Sequence, residues 1–126
     1  MMEKRRHKRA DKEFAVNITS ADLGVQHFRF DRNPAYPKLY NESGVDFTHV
    51  GVKLMCSKTL PENTKVTLKM LIPEDGAIHK VNASGTVRWF REVKGEHRKY
   101  FHIGIRLDEV AGEGADILKR LWQKYA

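Results

Sequence analysis

One cysteine, Cys56, stands among the 126 residues, so no internal disulfide can form. That fits a reducing compartment. No stretch approaches the roughly 20 consecutive apolar residues of a membrane-spanning helix. The opening Met1-Met2-Glu3-Lys4-Arg5-Arg6 has no apolar run behind it, so no secretory signal is read there. A cytoplasmic location is the expectation. Internal repeats and low-complexity tracts are missing, and there is no glycine loop of the kind that cradles phosphate. His7, His27, His49, His79, His97 and His102 are scattered without ligand-like spacing, so no metal site is expected. Cys56 has no evident base beside it and reads as a packed thiol. Asp46 and Thr48 lack a histidine placed to make a nucleophile, because His49 falls on the opposite face of a continuing strand. With no catalytic residue and no cofactor to name, the chain reads as a binding module and not an enzyme.

What is present is positive charge. Lys and Arg number 23 against 16 Asp and Glu, a net charge of +7 and a pI near 9.6. That balance favours an anionic partner: nucleotide, nucleic acid or acidic membrane surface. The length suits one domain with one core. Hydrophobic residues at 40% and charged residues at 31% describe a globular chain. The charge is densest at the start, where Lys4, Arg5, Arg6, His7, Lys8, Arg9 and Lys12 stand with almost no apolar neighbour. Nothing there can bury itself, so residues 1–13 are expected to form a flexible basic arm, with a barrel over 14–126. Such an arm adds little to a core, so alanine at Arg5 or Arg9 is expected to leave stability nearly unchanged.

Beyond the arm the chain alternates. Phe14, Val16 and Ile18 share one face of a first strand, and residues 19–24 read as a connection. Residues 25–30 suit a short strand, and Asn33-Pro34-Ala35-Tyr36-Pro37 and Asn41-Glu42-Ser43-Gly44 are loops. Val45 and Phe47 then alternate with Asp46 and Thr48. Gly51 allows a sharp turn, and Val52 and Leu54 resume the pattern as a hairpin to about Cys56. Asp46 and Thr48 should therefore lie side by side away from the core, with Gly51 letting something approach the backbone. A further strand carries Val66, Leu68, Met70 and Ile72, and Pro73-Glu74-Asp75-Gly76 is a turn. A long strand follows, with Val81, Ala83, Val87 and Trp89 on one face and Gly85 marking a bulge or corner. Phe101, Ile103, Ile105 and Leu107 line the last strand. Ile117, Leu118, Leu121, Trp122 and Tyr125 recur at helical spacing and form the stripe of a helix packed on the sheet. Short strands at regular spacing with one terminal helix point to an all-β fold, a small antiparallel barrel with a C-terminal helix.

Two motifs carry the functional reading. Arg5 and Arg9 stand four apart on the arm, and a guanidinium grips phosphate with two hydrogen bonds and stacks on a nucleobase. Asp46-x-Thr48-x-x-Gly51 places a carboxylate, a hydroxyl and bare backbone together, suited to a planar donor such as a guanine edge. In this order they resemble the RxxxR arm and [D/N]xSxxG turn of the PilZ domain family. Phe14-Ala15-Val16, Val87-Arg88-Trp89, His102-Ile103-Gly104-Ile105-Arg106-Leu107 and the terminal helix extend the likeness over most of the chain.

The resemblance implies a six-stranded antiparallel β-barrel of the PilZ-like, split-barrel kind that binds the bacterial second messenger cyclic di-GMP and signals to a protein partner. It implies that Arg5 and Arg9 hold phosphates and stack on guanine, and that Asp46 accepts from a guanine edge. Thr48 and Gly51 would complete the surface, and Lys4 and Arg6 would add charge or stacking. Lys4 also leans toward a stacked pair of ligands. Trp89 is a lesser candidate: some family members bring an aromatic to the ligand from this strand, while its alternation with Val87 favours the core. Two departures stand out. Threonine replaces the usual serine at Thr48, and residues 25–40 look like an insertion. The alternatives are a small basic barrel that binds RNA or single-stranded DNA, and a ligand-free PilZ-like interaction module. Against nucleic acid, no run of exposed aromatics crosses one sheet face.

Overall fold

The structure, a computed structural model, describes residues 9–10, 14–22, 27–29, 41–56, 60–95 and 99–126. Seven strands precede one helix: β1 (Phe14–Asp22), β2 (His27–Arg29), β3 (Asn41–Phe47), β4 (Gly51–Cys56), β5 (Lys65–Glu74), β6 (Ala77–Lys94), β7 (Lys99–Val110) and α1 (Gly114–Tyr125). Every pairing is antiparallel. The order β1-β3-β4-β7-β6-β5 closes because β5 also pairs with β1, and β2 adds to β1 outside this ring. The six-stranded antiparallel barrel with its C-terminal helix is therefore the architecture that the PilZ resemblance implies. Closure leaves few unpaired strand edges, a benefit in a small all-β domain.

Strand residues with alternating burial make the ring. Val66, Leu68, Met70 and Ile72 of β5 point inward, as do Val16 and Ile18 of β1, Val52 and Leu54 of β4 and Ile103 and Ile105 of β7. Leu118 and Leu121 of α1 are fully buried in the same core. The β5–β6 turn is made by Asp75 and Gly76, with φ of 46° and 85°. Positive φ at both central residues matches the right-handed twist of a two-residue hairpin. Pro73 and Glu74, expected in that turn, still pair with Ile78 and Ala77.

Two stretches read as loops are strand. Residues 19–22 extend β1 against β5, and residues 41–44 begin β3. Both are polar and weakly patterned, so pairing with neighbours decides their state. Within the expected strand at 25–30, the described residues 27–29 form β2.

Bulges set which way the important side chains point. In β3 the register passes from Gly44↔Leu54 to Asp46↔Lys53, so Val45 is the extra residue. Gly44, not Val45, faces inward, and a Cβ there would lie 2.1 Å from Phe14 Cζ. In β6 the register passes from Val87↔Ile105 to Trp89↔Gly104, so Arg88 is extra. Trp89 therefore leaves the face of Val87. The other shift lies between Ser84 and Gly85, where the sequence marks a bulge or corner.

Candidate functional site

The site grows from the β3–β4 hairpin. Phe47 anchors it, fully buried with its ring edge-on to Phe14 at 5.8 Å. Strand pairing stops there, and the turn holds itself. The Thr48 N–H donates to the Gly51 carbonyl at 2.8 Å, and the Thr48 hydroxyl accepts from the Val50 N–H at 3.1 Å. Thr48 is thus a buried turn former and not a neighbour of Asp46 on a continuing strand face. At Gly51 a Cβ would lie 3.2 Å from the Ile105 carbonyl, so the close approach that glycine permits here is that of β7. His49 lies in the turn and stacks on Trp122 of α1 at 4.3 Å between ring centroids.

Asp46 faces outward as the alternation requires, yet it is only 3% exposed. Two cations cover it. Arg9 Nη1 donates to Oδ1 at 2.9 Å, and Lys53 Nζ lies 3.0 Å from Oδ2. A buried carboxylate needs such partners, since an unpaired charge out of water is costly. Arg9 is brought there by its neighbour. Ala10 is fully buried and exchanges two backbone hydrogen bonds with Phe47, at 2.8 and 3.1 Å. Residues assigned to the arm by composition are therefore held on the barrel at Arg9 and Ala10. Lys4, Arg5 and Arg6 lie outside the described residues, as does most of the segment 25–40.

Lys53 was not singled out by the motif. Counting back from the turn would have found it, because Val52 pairs Phe47 and Lys53 pairs Asp46. The same row continues across the barrel: Lys53 pairs Gly104, and Gly104 pairs Trp89. The Trp89 ring lies on Gly104, where a Cβ would come within 2.2 Å of the indole. Trp89 is 36% exposed, so the expectation that placed it with Val87 in the core is corrected by the bulge at Arg88. A carboxylate, an ammonium and an indole thus stand in one row on the outer face. The next row holds Met55, His102 and Arg91. Burial lowers the His102 pKa, and Lys53 and Arg91 lower it further while Asp46 opposes them. On the other side, Arg106 pairs Gly51 and is held by Asp108, whose pKa is lowered chiefly by a hydrogen bond from Thr86.

Among the described residues, no group of three His, Cys, Asp or Glu could hold a metal ion, and no helix is long and apolar enough to cross a membrane. The arrangement offers charge, hydrogen bonds and one flat apolar surface, which are means of binding.

No protein-family model and no curated protein matches the chain. Among solved structures it is similar to the Bacillus subtilis inhibitor of motility (MotI/DgrA), with a TM-score of 0.66 at 12% sequence identity. The match covers 98% of this chain and 51% of that one, so this chain spans about half the length of its structural neighbour. At that identity the likeness is one of fold: an antiparallel ring with a terminal helix.

Proposed function

We propose that the chain is a cyclic di-GMP receptor of the PilZ type, a cytoplasmic effector whose ligand-closed surface is read by a protein partner. The observation that carries this is the meeting of the two motifs: Arg9 of the RxxxR arm lies on Asp46 of the DxTxxG turn, at 2.9 Å. They are 37 residues apart in sequence, and the Ala10–Phe47 bridge brings them together. The fold shared with a protein named an inhibitor of motility fits a regulatory role. In this reading Arg5 and Arg9 hold the phosphates and stack on guanine, with Lys4 and Arg6 adding charge. Asp46 accepts hydrogen bonds from a guanine edge, the Thr48–Gly51 turn fixes its position, and Trp89 offers a face for stacking. Arg9 has donors to spare, so it can serve Asp46 and a phosphate in turn. Ordering the arm costs conformational entropy, which the phosphate and stacking contacts must exceed.

Calorimetry with cyclic di-GMP beside GTP, cyclic di-AMP and a short RNA tests the reading. Cyclic di-GMP should bind alone or far more tightly than the others. Arg5→Ala and Arg9→Ala should each abolish or severely weaken that binding. Asp46→Ala should weaken it much more than it weakens binding of heparin, because removing a carboxylate from a basic surface favours nonspecific anions. Equal binding of all four ligands would overturn the assignment.

A further inference from the structure

Lys53 is placed by register and chemistry in a position that the motif does not specify. Its ammonium lies 3.0 Å from Asp46 Oδ2, and its side chain is 22% exposed. On its other side the row has no side chain at Gly104, only the Trp89 indole lying over it. A base stacked on the outer face of Trp89 would direct an edge toward Lys53 and Asp46. We propose that Lys53 is a specificity-determining residue, which with Asp46 forms a donor–acceptor pair that accepts guanine and rejects adenine. This rests on the cyclic di-GMP reading.

The Watson–Crick edge of guanine carries the N1–H and N2–H donors beside the O6 acceptor. A carboxylate next to an ammonium is its complement: Asp46 accepts from N1–H and N2–H while Lys53 donates to O6. Adenine carries the reverse, an acceptor at N1 and a donor at N6. Its N1 lone pair would face the carboxylate and its amino group the ammonium, so both contacts turn unfavourable. Lysine also donates to guanine O6 where it reads the O6/N7 edge, so O6 is an established acceptor for an ammonium. Access follows from the arm. Arg9 covers Oδ1, and a phosphate that draws the guanidinium away leaves that oxygen to the base while Lys53 stays on Oδ2.

The experiment measures both cyclic dinucleotides by competition on the full chain. They carry equal charge, so losing a cation weakens both alike and cancels in their ratio. In Lys53→Met the preference for cyclic di-GMP over cyclic di-AMP should fall by about tenfold or more, the scale of one base contact. Lys53→Arg should keep most of it, and Lys69→Met on β5 should leave the ratio unchanged. Lys53→Thr, which favours strand and is too short to reach a base, makes the same test if the methionine variant does not fold. An unchanged ratio with cyclic di-GMP still bound overturns the role of Lys53 alone. Failure of the unsubstituted protein to bind cyclic di-GMP overturns the ligand reading and the Lys53 proposal together.

Discussion

Asp46 is short and buried, while the two cations on it are long and partly exposed at 19% and 22%. That asymmetry predicts unequal costs. In Arg9→Ala the carboxylate keeps one cation and exchanges a charge-assisted hydrogen bond for a weaker one to water, so stability should fall by about 1–2 kcal/mol. In Asp46→Ala the cations can swing into water, and adding Arg9→Ala to that variant should cost almost nothing more. Urea unfolding of the four proteins gives the coupling directly. An Arg9→Ala protein as stable as the parent would mean that the contact contributes nothing to the fold. The sequence points to that milder outcome, because a basic arm with almost no apolar content has no visible anchor. Ala10 is the anchor, one small residue under Phe47, and composition cannot reveal it. The outward aim of Asp46 was legible from its alternation with Phe47. The aim of Trp89 was not, because one extra residue, Arg88, reverses the faces that follow it and bulges leave little mark in period-two patterns.

The helix and the β5–β6 hairpin are joined by charge. Glu74, at the hairpin end, accepts from both Arg120 Nη atoms at 2.8 and 3.0 Å and from Lys124 Nζ at 2.9 Å, and His79 Nε2 lies at 2.9 Å. Lys124 also reaches Asp75 at 2.8 Å. The helix itself was legible, since Ile117, Leu118, Leu121, Trp122 and Tyr125 keep its spacing. The latch was not, because Glu74 sits 46 residues from Arg120 and reads as an ordinary turn residue. Hydrogen bonds from Arg120 and then Lys124 hold the Glu74 carboxyl far below its ordinary pKa of 4.5. A carboxyl depressed in the folded state stabilises the fold above its unfolded pKa, and that contribution disappears as pH falls through lower values. The parent should therefore melt higher than Glu74→Gln at neutral pH, and the two melting temperatures should converge as pH drops below about 4.5. A constant gap across that window would mean the carboxylate charge plays no part in holding α1 to the hairpin.

Over the whole molecule, ring and charge do separate work. The ring comes from alternation in each strand, which is why its six strands were legible. Its closure through β1 and β5 was less so, since that pairing joins distant segments. The charge, +7 in total, adds little to the ring and much to approach of an anion. Hydrogen exchange should resolve the two. The Ala10 amide donates to Phe47 at 2.8 Å and Ala10 is fully buried, so the amide should exchange slowly with or without cyclic di-GMP. Residues 4–8, four of them Lys or Arg, should gain protection only when the ligand is added, because phosphates then relieve their mutual repulsion. The Asp46–Gly51 turn should gain with them, while the amides inside β5 and β6 keep the protection that ring pairing gives them. The same titration at rising salt should weaken binding, as exposed cations lose their pull over a Debye length of about 8 Å at physiological ionic strength. Part of the affinity should persist, since stacking and base-edge hydrogen bonds are screened less. Fast exchange at Ala10 without ligand would remove the anchor that brings Arg9 to Asp46. Slow exchange at Ala10 with no gain over residues 4–8 at saturation would leave the anchor standing and exclude closure of the arm.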